Sequence, residues 1–452
     1  MPARSSRGIL DRLKSGVVLG AEGYVFELER RGYIKAGPYV PEVVLDFPDA
    51  LRELHREFLR AGADVMVALT YYAHRGKLKD VGRENDLEAM NRHAVRIANE
   101  VAREGDALVA GDICNTWAYD PKDKDASSRV VRAMYEEQLS WATDEGIDFV
   151  IAETNDYLGE ALIALQVIKE LGLPAMVTLA STRPHQTWDG YGYVDACKIL
   201  ADHGADLVGL NCDRGPATML PIIEQVRSAV SGYVAVQPVP YKTQESMPTF
   251  ESLKTADGTN VFPIALESFL CTRFEMADYA RQAKALGVNY IGICCGGGPH
   301  YVRAMAEALG RTVPASKYSP AIELHPMIGA KVEEKEKEFL VDWKGWSGRR
   351  VPGAAKLAPM IVKRDNLFSL LVTAFVGVIF LLLVFETWAL FTGNKPISDY
   401  FREMVHDVPG LAFVVAILVG ITVGHFLWGP VSGILAPAPR RIRDLMSRRV
   451  SN

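Results

Sequence analysis

The sequence predicts an α/β protein: a (β/α)8 barrel of the TIM type, followed by a linker and two transmembrane helices. Three observations predict it. Eight short β-branched runs alternate with amphipathic segments over roughly the first 310 residues, reactive side chains fall at the ends of those runs, and two long uncharged apolar stretches lie near the C-terminus.

The strand candidates are 17–20 (VVLG), 64–70 (DVMVALT), 107–112 (ALVAGD), 148–153 (DFVIAE), 175–180 (AMVTLA), 206–211 (DLVGLN), 233–238 (YVAVQP) and 289–295 (NYIGICC). Between them lie stretches with helical spacing of apolar residues, such as DALRELHREFLRAG and EAMNRHAVRIANEVAREG. Several end on Gly, which takes up the left-handed conformation that stops a helix. An open doubly wound sheet has the same alternation. The barrel is preferred because Glu22, Thr70, Tyr72, Asp112, Glu153, Cys212, Gln237, Cys294 and Cys295 all lie at or just past strand ends. Barrels gather such residues at one mouth.

The barrel is expected over residues 8–312. From 313 to 366 the alternation gives way to Pro, Gly and charge, including KVEEKEKEF at 331–339, and reads as a polar linker. Within it WKGWSGRRVPG, at 343–353, is basic and aromatic and suits either lipid headgroups or an exposed connection. Transmembrane helices are expected at 367–391 and 410–430. Neither 367–385 nor 410–428 contains Lys, Arg, Asp or Glu, and each is close to the roughly 20 residues that span a bilayer. Lys363 and Arg364 precede the first span, and Arg440, Arg441, Arg443, Arg448 and Arg449 follow the second, whereas the loop at 392–409 has only Lys395 and Arg402. The positive-inside bias puts the barrel and the basic tail at 431–452 in the cytoplasm, with 392–409 on the far side.

A net charge of −5 with 23% charged residues creates no field that favours nucleic acid. Six scattered cysteines fit a reducing compartment rather than a disulfide scaffold. Three of them fall at strand ends, Cys212 in GLNCDRGP and Cys294 and Cys295 in IGICCGGGP. Three thiolates around Zn2+ leave one tetrahedral position for a substrate, and a soft sulfur ligand suits that position. Adjacent residues on a regular strand point to opposite faces, so both Cys294 and Cys295 reach one ion only if the strand ends or bends there. The following glycines permit that. Spacing alone leaves open both a metal site and a set of small buried core residues.

Asn211-Cys212 and Gly292-Ile293-Cys294-Cys295-Gly296, together with RGYIKAGPYVPE at 31–42, LHREFLRAG at 54–62, EGDALVAG at 104–111 and PHYVRAMAEAL at 299–309, carry a family resemblance. The chain resembles the homocysteine S-methyltransferase family across roughly residues 8–312, and within it the betaine-dependent branch. The resemblance implies Cys212, Cys294 and Cys295 as zinc ligands and Glu153 as a partner of the homocysteine amine. It implies Gln237 at the active site, Tyr72 as the catalytic tyrosine beside metal and donor, and Tyr39 where the family carries a tryptophan. An aromatic face at Tyr39 still attracts an onium. Two departures stand out. The family's Gly-Asp-Gly-Gly turn, whose aspartate helps bind the amine, reads Gly20-Ala21-Glu22-Gly23 here, which makes Glu22 the candidate replacement. Thr154 stands where an aromatic is expected, with Trp117, Trp188 and Tyr191 as substitutes in a donor cage.

The implied reaction is methyl transfer from an onium donor to homocysteine, forming methionine. Glycine betaine is the first candidate donor, and a sulfonium such as dimethylsulfoniopropionate or S-methylmethionine is next. The implied partners are homocysteine, the donor and membrane lipid, with homo-oligomerisation left open. The rival readings are a membrane-tethered onium or thiol sensor without turnover, and a protein docked on a transporter.

Overall fold

The computed structural model describes residues 8–325 and 380–408, together with positions 410, 414 and 417. The chain divides into two compact units, 1–348 and 349–452.

In the first unit eight parallel strands form the inner wall: β1 Val18–Leu19, β2 Val65–Val67, β3 Leu108–Cys114, β4 Phe149–Asn155, β5 Ala175–Ala180, β6 Leu207–Asn211, β7 Tyr233–Gln237 and β8 Tyr290–Ile291. The strands are almost wholly buried, as the near-continuous Val, Ile, Leu and Ala runs require when helices cover one face and the barrel interior the other. From β2 to β8 each strand pairs with the next in sequence, and β8 pairs with β1. At the β1–β2 seam Asp64 N donates to Leu19 O at 2.8 Å, and Leu19 N donates to Asp64 Oδ2 at 2.7 Å. The strand circle is thereby closed, and the open-sheet alternative falls away.

The outer layer is α1 Pro48–Ala61, α2 Leu87–Ala102, α3 Lys124–Glu145, α4 Leu158–Glu170, α5 Tyr193–Asp202, α6 Pro216–Ala229, α7 Arg273–Ala285 and α8 Pro299–Ala308. In α1 the residues Leu51, Leu54, Phe58 and Ala61 are buried, three or four apart, and Gly62 ends the helix at φ 103°. α7 starts on a capping box in which Thr272 Oγ1 accepts from Glu275 N.

β1 and β8 are shorter than the sequence runs suggest, yet their pairing continues beyond them. Glu22 N donates to Ile293 O at 3.1 Å, and Cys294 N donates to Pro238 O at 2.9 Å. The chain also stays on the barrel past the expected start of the linker: Arg311 Nη1 donates to Asp64 Oδ2 at 2.7 Å, and Val313 packs against the core.

In the second unit residues 380–392 are helical, and helix Ile397–Asp407 follows. The expected far-side loop at 392–409 is therefore largely helical. Glu386 accepts at 2.8 Å from Ile397 N, which would otherwise be an orphan donor at the start of that helix. Among the described residues no helix is long and apolar enough to cross a membrane. Residues 367–379 and most of 410–430, which hold much of the two expected spans, lie outside the described residues, as do most of the linker and the basic tail.

Candidate active site

Strained backbone marks one end of the barrel. Tyr39, Tyr72, Trp117, Thr154, His185, Cys212 and Asp213 all have positive φ, and all lie at or beyond the C-terminal ends of β1 to β6. Non-glycine residues adopt this region only when their surroundings hold them there. At Cys212 the hold is explicit. Cys212 N donates to Gln237 O, Ser181 N donates to Asp213 Oδ2 at 2.7 Å, and Phe250 N donates to Asp213 O at 2.8 Å.

The adjacent cysteines satisfy the geometric condition set by the sequence. Regular β8 ends at Ile291, and Gly297 N donates to Cys294 O at 2.8 Å, closing a turn through Gly296 at φ 87°. The Sγ atoms of Cys212, Cys294 and Cys295 lie within 4.8 Å of one another, and those of Cys294 and Cys295 are 4.0 Å apart. Tetrahedral zinc with bonds of about 2.3 Å separates its sulfur ligands by about 3.8 Å, so the donor set and its spacing fit that ion. Hydrogen bonding with the Cys212 thiol, then with Cys295, holds Cys294 well below its ordinary pKa.

Beside the thiols lies a cavity lined by Glu22, Asp112 and Glu153, by Tyr24 and Tyr71, and by Cys294 and Cys295 among others. Burial, followed by the charges of its acidic and thiol neighbours, raises all three carboxyls well above their usual range. Among the described residues, no Lys, Arg or His lines the cavity. Such a site is built for cationic groups.

Asn211 joins the two halves. Its Nδ2 donates to Glu153 Oε2 at 2.7 Å and to Thr154 Oγ1 at 2.8 Å, and lies 3.8 Å from Cys294 Sγ. Its Oδ1 accepts from Thr154 N and Thr178 Oγ1, both at 2.8 Å. The role of Asn211 was hidden in the Asn-Cys motif, where only the cysteine has obvious chemistry.

The other expected residues are placed as follows. Gln237 is fully buried at the end of β7, with its amide beside the Glu22 carboxyl. Tyr39 stacks on Phe26 at 5.2 Å, and burial pushes its hydroxyl up to about 12. Tyr71, which the sequence reading passed over, lines the cavity. Tyr72 does not. It packs on Tyr71 with ring centroids 4.2 Å apart, and its hydroxyl accepts from Trp117 Nε1 at 3.2 Å. Parity along β2 could not choose between the two tyrosines, because the strand ends at Val67 and the chain turns through Tyr72 at φ 60°. Trp117, Trp188 and Tyr191 lie outside the cavity lining. Trp188 instead packs on Tyr157, with Arg183 4.8 Å from its ring centroid.

Comparison with known proteins follows this geometry. A family model described as homocysteine S-methyltransferase matches residues 23–309. Betaine–homocysteine S-methyltransferase 1 of Danio rerio is 40% identical over 348 residues, covering 75% of this chain and 84% of that protein. S-methylmethionine–homocysteine S-methyltransferase BHMT2 of Pongo abelii is 36% identical over 358 residues, covering 75% and 94%. Among solved structures, the homocysteine methyltransferase MmuM from Escherichia coli in its metallated form has the same fold, with a TM-score of 0.52, 20% identity, and coverage of 65% of this chain and 96% of that one.

Proposed function

The chain belongs to the homocysteine S-methyltransferase family, and from that premise we propose that it takes a methyl group from a methylated onium, glycine betaine first, and delivers it to the sulfur of homocysteine. The observation that carries this reading is the convergence of three thiols on a buried acidic cavity. Relatives named for betaine and for S-methylmethionine have similar identity to the chain, so the donor is decided by experiment.

In this reading Cys212, Cys294 and Cys295 hold Zn2+, which when bound supplies a Lewis acid that keeps a substrate thiol deprotonated at neutral pH. Glu153 takes the homocysteine amine with Glu22 and Gln237 close by, and so aims the sulfur. Asn211 fixes the Glu153 carboxylate by donating to it. Tyr71, in the cavity wall with Tyr72 packed on it, offers an aromatic face to the onium, and Tyr39 lies beyond that lining. The thiolate sulfur then forms a bond to the methyl carbon while the methyl–onium bond breaks and its electron pair leaves with the demethylated donor. Burial of the surrounding groups leaves both reactants partly desolvated, and orientation does the remaining work without a general base.

Purified, zinc-loaded protein supplied with homocysteine and glycine betaine, dimethylsulfoniopropionate or S-methylmethionine in turn should form methionine with at least one donor. Bound homocysteine without methionine from any donor would overturn catalysis and favour the sensor.

We further propose that the chain is held at a membrane with its barrel in the cytoplasm. Supporting this, the helix at 380–392 exposes Phe380, Leu381, Leu382, Leu383, Trp388 and Phe391, apolar side chains around its whole circumference.

A further inference from the structure

The turn after β1 carries Ala21, fully buried, where an acid would be expected to meet an amine. Acidity is nonetheless abundant in the cavity, and the three carboxylates are unequally satisfied. Oε2 of Glu153 accepts from Asn211 Nδ2 and Thr154 Oγ1. Among the described residues, Oδ1 of Asp112 and both carboxylate oxygens of Glu22 are buried without a hydrogen bond of good geometry, the Gln237 amide being the one donor beside Glu22. Exposure is only 3% at Glu22 and 5% at Asp112, so water does little for them. A carboxylate buried without donors is strongly unfavourable unless a ligand supplies them.

The backbone holds Asp112 in place. β3 pairs with β4 so that Asp112 lies opposite Ile151 and Cys114 opposite Glu153, while Thr70 Oγ1 donates to Asp112 O at 2.6 Å. Glu22 is held across the barrel mouth by its backbone bond to Ile293. Carboxylate oxygens of Glu22 and Glu153 lie within 4.8 Å of Cys294 Sγ and of each other. A small molecule anchored through sulfur at the thiols therefore meets the carboxylates of Glu22 and Glu153, with Asp112 in the wall of the same cavity. A primary ammonium has three N–H donors to divide among them.

We propose that Asp112, acting with Glu22, binds the α-ammonium of the acceptor and makes the site strict for amino thiols, in place of the acid absent at position 21. The proposal rests on the acceptor reading above. A thiol lacking the ammonium leaves Asp112 without a donor and Glu22 with no more than the Gln237 amide, and sites built around a polar group reject analogues that lack it far more strongly than sites that merely miss a methylene.

Isothermal titration calorimetry of the zinc-loaded full chain with homocysteine and with 4-mercaptobutanoate, the same thiol acid without the amine, tests this. The wild-type protein should prefer homocysteine by about 100-fold or more. Asp112→Asn should cut that preference about tenfold or more, with the affinity for 4-mercaptobutanoate and the zinc content within about twofold of wild type. This variant keeps the side-chain shape and removes one of several mutually repelling charges, so its melting temperature should not fall. Equal affinity of the wild type for both thiols would overturn the proposal whatever the variant does. So would a variant in which both affinities drop together or neither changes. Because binding is scored without turnover, amine-dependent binding without methionine formation sinks only the catalytic reading, and methionine formation without amine selectivity sinks only this one.

Discussion

Asn211 shows how much a single amide can coordinate. It spends two donors and two acceptances on Glu153, Thr154 and Thr178 while lying beside Cys294, so the acid proposed to take the substrate amine and a thiol of the proposed metal site share one support. Asn211→Ala should lower zinc affinity by about 10–100-fold and cost a comparable factor in kcat/KM, since groups that orient ligands have effects of that size. Metal analysis after dialysis against a graded chelator, alongside initial rates, checks this; unchanged zinc retention with normal rates would show that Asn211 only packs. The cysteines stood out in the sequence through the Asn211-Cys212 and Cys294-Cys295-Gly296 motifs, since their spacing alone left a metal site and buried core residues equally open. Asn211 was not, since nothing in a sequence reveals which way an amide points. Tyr71 was missed for a related reason. Two adjacent tyrosines beyond a strand end lose the alternation that would separate inward from outward.

At the scale of elements, the site is made by strands that stop early. β8 ends at Ile291, the chain turns through Gly296, and Gly23, at φ 113°, opens the short helix Tyr24–Arg30 directly against that turn. A Cβ on Gly23 would stand 2.8 Å from Cys294 O and 2.9 Å from Gly297 O, closer than real Cβ atoms approach backbone. Gly23→Ala should therefore displace the Cys294–Cys295 turn and lower the melting temperature by several degrees, with a loss of about 1–3 kcal/mol for added strain at a special φ. Calorimetry together with zinc content tests it, and a variant that melts and binds metal like the parent would refute the close approach. Hydrophobic alternation placed all eight strands, because burial on both faces leaves a strong pattern in the sequence. It overran β1 and β8, where irregular chain still follows the pairing direction and its residues remain apolar.

For the whole molecule, the barrel was legible from alternation and strand-end chemistry, whereas the segment after residue 312 was judged by composition alone. Within 392–409, the first turn of helix Ile397–Asp407 is supported by Glu386, which reaches across to it. If the apolar C-terminal segment holds the chain to lipid, the full chain should sediment with membranes and be released by detergent but not by high salt. A chain ended at residue 330 should stay in the supernatant and keep its barrel. A full chain that remains in the supernatant without detergent would end the membrane proposal. The seam between β1 and β2 also bears on how the protein is made. Asp64, which bonds Leu19 across that seam, is also gripped by Arg311, which donates to Val17 O as well, so the seam is completed by a residue near the far end of the barrel. A ribosome must deliver nearly the entire barrel before that fastening exists, and the thiols arrive from its last third. With Cys294 and Cys295 among the last barrel residues to emerge, the three-thiol cluster can assemble only after nearly the whole barrel has been made.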